Sequence, residues 1–444
     1  MSPNRRQFLG MCAALGLPAL LPDEVRADLA GYVGKPDPSF AWKLVTKEER
    51  GSGTVHRLRL TSQTWQGIVW EHDLSLYLAE GTTLPQTIAL YNTGGGANAT
   101  NDLMGMDLAR RSKVPIAFLY HVPNQPLFEG KKEDALIAET FLRYLKTGDD
   151  TWPLLFPMVK SVVRAMDALQ AYGRQEMKSS VERFVVSGAS KRGWTSWLTA
   201  ASGDRRVKAI APMVIDTLNM PAQIKHQREA FGTTSEQIRD YSETGLTEAF
   251  ATETGRKLMR MVDPFAYRGQ LTLPKMLIHG ANDPYWTADA IRLYWDELKG
   301  DKWVCYVPNA GHNLIERTPG KDPSPERALS ALAAFIRSQA GGSPLPRLSV
   351  KETEAKGEPY RLEVRTDRKP EAVRLWVVRS ETQDFRPKTW EEMVGAVTSP
   401  EERTRVFTVE RPASGYLACF AELSFSLDGA TSPLCTLPKV LAGA

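Results

Sequence analysis

Between residues 183 and 340, short apolar runs alternate with stretches of helical spacing, and three of the runs end at a residue that can do chemistry. Arg183-Phe-Val-Val-Ser187 leads through Gly188-Ala189 to Ser190; Lys275-Met-Leu-Ile-His279 leads through Gly-Ala-Asn to Asp283; Lys302-Trp-Val-Cys-Tyr-Val307 leads through Pro-Asn-Ala-Gly to His312. A fourth run, Val207–Ile215, lies between the first two, and helical spacing is expected over Trp194–Ala201, Thr287–Leu298 and Pro325–Gln339. Such alternation is the pattern of parallel βαβ units, because parallel strands need a crossover between them. The crossovers put successive strand C-termini at one sheet edge, so a serine, a carboxylate and an imidazole converge there.

Outside this segment the reading is coarser. Residues 30–112 look like strands, including His56–Leu60, Trp70–Leu78 and Thr87–Tyr91, and Val114–Tyr120 reads as another. Helices are expected over Glu133–Lys146 and Trp152–Tyr172. Residues 217–270 lack strand runs and are expected to be a helical cap inserted over the sheet edge, shaping an acyl pocket as a lid. Gly341-Gly-Ser-Pro-Leu-Pro346 marks a domain break. From 347 to 444 short alternating runs return (Tyr360–Val364, Ala372–Val378, Arg405–Val409, Tyr416–Phe425), with a turn at Asp428–Gly429. That pattern predicts a C-terminal all-β sandwich of the immunoglobulin or fibronectin-III type. The domain expectation is an export leader over 1–27, an α/β domain over 28–340 and the β-domain over 347–444.

The leader is read from Arg5-Arg6 before Gln7-Phe8-Leu9, an apolar run to Leu21 and Val25-Arg26-Ala27, an order resembling a twin-arginine signal. It predicts a periplasmic or secreted bacterial protein. No other stretch approaches the roughly 20 apolar residues of a bilayer span. With 56 Lys+Arg against 52 Asp+Glu, the net charge of +4 gives no basis for nucleic-acid binding. Cys305, Cys419 and Cys435 are too scattered for a zinc framework, and neither metal nor organic cofactor is expected. If Asp428–Gly429 closes a two-residue hairpin, Cys435 falls opposite Glu422 and Cys419 opposite Pro438, which separates those two sulfurs and predicts free thiols.

The chain order Ser190, Asp283, His312 is that of α/β-hydrolases, so an α/β-hydrolase fold with a helical cap is expected, with these three as a catalytic triad. Asp216, after Val214-Ile215, is the alternative acid, and His279, inside its run, reads as packing. The glycines Gly94, Gly95 and Gly96 after the Tyr91 run are candidates for an oxyanion hole together with Lys191, because they can turn backbone N–H groups toward a substrate oxygen. A plain tight turn is the simpler alternative. Gly193 lies three residues after Ser190 instead of the common two, and Arg192 takes the place of a small residue. This spacing resembles the Gly-x-Ser-Arg-x-Gly elbow of glucuronoyl esterases, whose cation directly follows the serine; Lys191 occupies that place and is either a solvated lysine or a stabiliser of negative charge. Arg192, His121, Asn124, Gln125, Tyr285 and Trp286 are candidates to line the substrate pocket. Trp194, Trp197, Tyr285 and Trp286 are read either as core or as a surface on which a sugar stacks.

Asn92-Thr-Gly-Gly-Gly96, Pro123-Asn-Gln-Pro-Leu127, Gly188-Ala-Ser-Lys-Arg-Gly-Trp-Thr195, Gly280-Ala-Asn-Asp-Pro-Tyr-Trp286 and Pro308-Asn-Ala-Gly-His-Asn313 together resemble the PhoPQ-activated pathogenicity-related protein family. The resemblance implies an exported bacterial protein with an α/β-hydrolase-like domain and Ser190, Asp283 and His312 in triad positions; it implies no substrate. The resulting expectation is a serine hydrolase acting on a small-molecule, saccharide-ester or peptide substrate. The Lys191–Arg192 pair points toward a substrate with a carboxylate near the scissile bond. The alternative is an envelope or host-facing binding protein on a hydrolase scaffold that has lost catalysis, with the β-domain as the binding module.

Overall fold

A computed structural model describes residues 29–83, 86–355, 358–393, 397–398 and 402–443. The expected leader, 1–27, lies outside the described residues. Nine strands form one sheet: β1 (Ala41–Glu49), β2 (Gly53–Trp65), β3 (Ile68–Ala79), β4 (Thr87–Asn92), β5 (Ile116–Leu119), β6 (Arg183–Ala189), β7 (Val207–Met213), β8 (Lys275–Gly280) and β9 (Lys302–Val307). Their spatial order is β1-β2-β3-β5-β4-β6-β7-β8-β9. The pairs from β1 to β5 are antiparallel, and those from β5 through β4 to β9 are parallel. β1 at the N-terminal edge alternates exposed and partly buried positions, whereas β6, β7 and β8 are buried almost throughout, as expected for parallel strands covered on both faces.

Period-two alternation assigns each side chain to a layer. Ile88, Leu90, Phe184 and Val186 pack under the helices Leu155–Tyr172 and Lys191–Ala201. Ala89, Val185, Ala209 and Ile278 face Ala99–Ser112 and Glu326–Gln339 on the other side. The parallel strands therefore run as continuous apolar stretches, and their C-terminal ends share one edge.

Four local expectations are corrected. Residues 99–112 form a helix, not strand; Asn98 caps it by accepting from Asn101 N–H at 3.0 Å. Its buried face is only Gly105, Leu108, Ala109 and Ser112, with too little apolar periodicity to be read. Gly105 is small because the Tyr77 ring fills its place: a Cβ there would lie 2.5 Å from ring carbons. The helix expected over Thr287–Leu298 is two short 3₁₀ turns, Ala290–Leu293 and Trp295–Glu297. Tertiary bonds interrupt it, since Asn219 Nδ2 takes the Leu293 carbonyl at 2.9 Å and the Tyr294 hydroxyl donates to Asp216. Finally, β7 stops at Met213 because Val214 has φ +46°, and the helix after β6 begins at Lys191, three residues before the expected Trp194.

Beyond the break lie two antiparallel sheets. One comprises β10 (Leu348–Thr353), β11 (Tyr360–Thr366), β14 (Val397–Thr398) and β15 (Thr404–Val409). The other comprises β12 (Ala372–Ser380), β13 (Glu391–Glu392), β16 (Tyr416–Leu427), β17 (Ala430–Cys435) and β18 (Lys439–Ala442). Leu362, Val364 and Phe407 of the first share a buried cluster with Leu375, Val377 and Leu423 of the second. Asp428 and Gly429, both at positive φ, close a two-residue hairpin, and Cys435 faces Glu422. Cys419 pairs with Lys439 and not Pro438, because residues 436–438 separate β17 from β18 and shift the register by one. All three cysteines are free and buried, and Cys435 Sγ accepts from Tyr306 N–H of β9 at 3.3 Å. No helix among the described residues is long and apolar enough to cross a membrane.

Candidate active site

Ser190 sits between β6 and the helix Lys191–Ala201 with φ +58° and ψ −128°, a conformation that costs a side-chain-bearing residue about 1–3 kcal/mol. The surroundings enforce it. Ser190 N–H donates to Met213 O at 2.9 Å, and its carbonyl accepts the first helical bond from Trp194 N–H at 3.0 Å. The strand and helix approach so closely that a Cβ at Gly188 would lie 2.6 Å from Asn92 Nδ2, and one at Gly193 2.6 Å from Ile215. Gly193, three residues after the serine, thus relieves the crowding that the second glycine relieves in the commoner elbow.

The other two residues lie on the next loops at the same edge. His312 Nδ1 is 2.8 Å from Asp283 Oδ2, while Asp283 Oδ1 accepts from Tyr285 N–H at 2.9 Å, fixing the carboxylate at both oxygens. The Tyr285 ring lies 4.2 Å from the imidazole, centroid to centroid, inclined 31°. His312 Nε2 has no hydrogen-bond partner among the described residues, and no hydrogen bond joins it to Ser190. Both nevertheless line one cavity with Asp134, Lys191, Tyr285 and Trp286, roofed by Ile238 and Tyr241 from residues 217–270. Catalytic hydrogen bonds are often long before substrate binds. Asp216 is placed elsewhere: buried, 3.4 Å from His279 and bonded to Tyr294, with burial raising its carboxyl above the usual range. His279 is buried and stacks on Tyr306 at 5.3 Å.

The basic pair after the serine is neutralised from one helix. Arg192 is buried, bonding Glu133 at 2.6 and 2.7 Å and the Val122 carbonyl at 2.5 Å. Burial opposes it, but the Arg192 hydrogen bonds and charge pull the Glu133 carboxyl down to about 2. Lys191 Nζ lies 2.5 Å from Asp134, which also accepts from Tyr241 OH at 2.9 Å. Burial would lower the Lys191 ammonium, yet Asp134 holds it above its ordinary value.

Several pocket candidates are therefore placed differently from expectation. Arg192 is not in the cavity because its guanidinium is spent on Glu133. Gln125 holds Glu133 too, donating at 2.6 Å and accepting from its N–H at 2.9 Å. His121 packs on Gly96 with Nε2 3.5 Å from Asp73, and neither it nor Asn124 lines the cavity. The Gly94–Gly96 loop does not line it either; a Cβ at Gly94 would collide with the Arg192 guanidinium at 1.6 Å, so that glycine is required by the arginine's path. Tyr285, Trp286 and Trp194 do line it, and Trp197 is core.

What holds the loops of Asp283 and His312 leaves no mark in the local sequence. Asn282 Nδ2 donates to the carbonyls of Phe385, Arg386 and Lys388 at 3.2, 3.2 and 2.6 Å. Asn309, in the left-handed region at φ +55°, accepts from Trp390 N–H at 2.7 Å and donates to its carbonyl at 2.9 Å. Trp390 Nε1 donates to Ala281 O at 3.2 Å. Segment 385–390, from beyond the break, thus grips the residues beside Asp283 and three before His312.

Among the described residues no three His, Cys, Asp or Glu side chains are grouped to hold a metal ion. The sheet order, the serine elbow after β6 and the acid and imidazole after β8 and β9 define an α/β-hydrolase-type chain. Over residues 29–386 it matches the model of the PhoPQ-activated pathogenicity-related proteins, and it belongs to that family. It is also similar to autocrine proliferation repressor protein A of Dictyostelium discoideum, 34% identical over 305 residues, covering 65% of this chain and 61% of the relative. The chain thus spans about three fifths of that relative's length. Similar solved structures include an acetyl xylan esterase from Paenibacillus sp. R4 (14% identity, TM-score 0.49, 72% of this chain and 96% of that one). Another is an S-formylglutathione hydrolase from Agrobacterium tumefaciens (14%, 0.45, 67% and 98%).

The depressed Glu133 carboxyl sets a pH dependence. Its contribution to stability is present above the ordinary value of 4.5 and is lost as pH falls toward about 2. Glu133→Gln is expected to unfold at lower urea than the parent at pH 7, with the two midpoints converging between pH 4.5 and 2. A gap that stays constant over that range would contradict the pairing.

Proposed function

We propose that this chain is a serine hydrolase that cleaves an ester or amide through an acyl-enzyme. The observation that carries the reading is the Asp283–His312 bond, which leaves Nε2 without a partner in the cavity that Ser190 lines. Ser190 Oγ attacks the acyl carbon as its proton passes to Nε2; Asp283 fixes the imidazole tautomer and stabilises the imidazolium. His312 then protonates the leaving group, and water repeats the sequence to release the acid. The Lys191 N–H, at the start of its helix, is the proposed oxyanion donor; the Gly94–Gly96 loop, which does not line the cavity, is not carried into that role. Because Glu133 and Asp134 neutralise Lys191 and Arg192, the expected preference for a carboxylate near the scissile bond is withdrawn.

The twin-arginine-like start of the sequence supports export to the periplasm or beyond as part of the same proposal. The two C-terminal sheets are proposed to form an immunoglobulin or fibronectin-III-like sandwich. Its 385–390 segment would position the acid and base.

A fluorophosphonate probe is expected to label the protein, with Ser190→Ala unlabelled and His312→Ala slowed by about 10⁴-fold. Asp283→Asn is expected to be slowed comparably and Asp216→Asn little; labelling of Ser190→Ala at the parental rate would sink the assignment, and the reverse order of the two aspartates would move the acid to 216. For the 385–390 grip, Asn309→Ala is expected to lower kcat by about tenfold or more at nearly constant KM, since small misplacements of catalytic groups are costly. Asn309→Asp, which keeps the acceptor for Trp390 N–H, recovers part of the loss; a change in KM alone would count against positioning.

A further inference from the structure

Behind the Ser190 cavity lies a second one, of about 70 Å³, with a wholly apolar exposed wall. Met220, Ile224 and Phe250 from residues 217–270 form its far side, and Trp194, Thr217, Ile238, Tyr241 and Trp286 belong to both cavities, so the two adjoin. Thr217 Oγ1 and Trp286 Nε1 have no hydrogen-bond partner among the described residues but are themselves covered, and most of the other polar side chains around the cavity are engaged elsewhere. Gln223 Nε2 donates to Ala290 O at 3.1 Å, Gln227 Nε2 to Tyr285 O at 3.1 Å, Tyr241 OH to Asp134 and Trp194 Nε1 to Val262 O at 2.5 Å. A water needs roughly 10–15 Å³ and two to four polar partners; the space suffices for several atoms, but no polar atom is exposed on its wall. Such a cavity suits an apolar group.

We propose that this cavity is the acyl-specificity pocket of the hydrolase and that it takes an uncharged, apolar acyl group of amino-acid side-chain size, branched aliphatic or phenylalkyl. The inference rests on the serine-hydrolase reading above. When the Ser190 Oγ–acyl bond forms, the bond to the leaving group breaks and that group departs with the proton from His312, whose side chain is 25% exposed. The acyl group stays until water cleaves the ester, so an apolar wall beside Ser190 acts on it through both halves of the reaction, whereas the leaving group is gone after the first. Trp194, one helical turn after Ser190, places the pocket mouth beside the bond that forms. The internal neutralisation of Lys191 and Arg192 leaves no unbalanced cation to favour an acidic acyl group.

The test compares kcat/KM for p-nitrophenyl acetate, butyrate, hexanoate and 3-phenylpropionate. Each buried methylene contributes about fourfold, so butyrate, with two more, is expected to exceed acetate by about 15-fold, and 3-phenylpropionate to exceed it by more. Ile224→Trp, which fills the pocket, lowers the phenylpropionate-to-acetate ratio toward one, and Phe250→Ala, which enlarges it, shifts the optimum to longer chains. A parental preference for acetate that neither variant alters would overturn the pocket. A second arm needs no catalysis: calorimetric titration of Ser190→Ala with 3-phenylpropanamide and with acetamide. Selective binding of the phenyl amide that Ile224→Trp abolishes upholds the pocket even if no ester is turned over, in which case the triad reading fails alone. Ester turnover that requires Ser190, without chain-length preference or selective amide binding, retains the triad and rejects the pocket.

Discussion

Two cations buried directly after a strained serine would be untenable without partners, because removing an ion from water costs on the order of several kcal/mol even after relaxation. Glu133 and Asp134, adjacent at the start of the helix Glu133–Thr147, answer Arg192 and Lys191 and make the elbow possible. The consequences spread outward. Arg192 passes over residue 94, which must be glycine, and bonds Val122 O, tying the loops after β4 and β5 to the nucleophile. Asp134 also takes the Tyr241 hydroxyl, so the same charge cluster anchors the roof of the cavity. The cavity roof, the loop positions and the backbone geometry of Ser190 all depend on one four-charge arrangement.

The other half of the site is held from the opposite direction. Asp283 and His312 stand on loops that carry no regular structure of their own, and their neighbours Asn282 and Asn309 are bonded to backbone of residues 385–390. Arg386 extends this grip to the cap, reaching Glu236 at 3.0 Å and the Pro284 carbonyl at 3.3 Å. The segment 385–390 is thus built into the sheet edge that carries Ser190, Asp283 and His312, and the family match, ending at residue 386, runs into it.

The alternation from 183 to 340 was legible because buried parallel strands are continuous apolar runs, and the positions of Ser190, Asp283 and His312 followed from where those runs end. The helix Ala99–Ser112 was hidden because its buried face is mostly small residues fitted under Tyr77, which carry no apolar period. The role of Arg192 was misjudged for a related reason: its position marks a charge, but the partner lies 59 residues away on another element. Asn282 and Asn309 were visible inside motifs without a function, since what they bind is main chain from a distant segment and leaves no side-chain signature. Local pattern therefore showed which strands end at the site, while long-range polar pairing, which decides what each neighbour does, required the fold.

The central claim is that Ser190 carries the acyl group. Intact-mass and peptide-mapping mass spectrometry on enzyme acid-quenched during the first turnovers of a p-nitrophenyl ester tests it most directly. A single acyl adduct is expected on the peptide containing Ser190, accumulating as one equivalent of nitrophenol is released and decaying as the acid forms. Turnover without an adduct, or an adduct on any other residue, would contradict it.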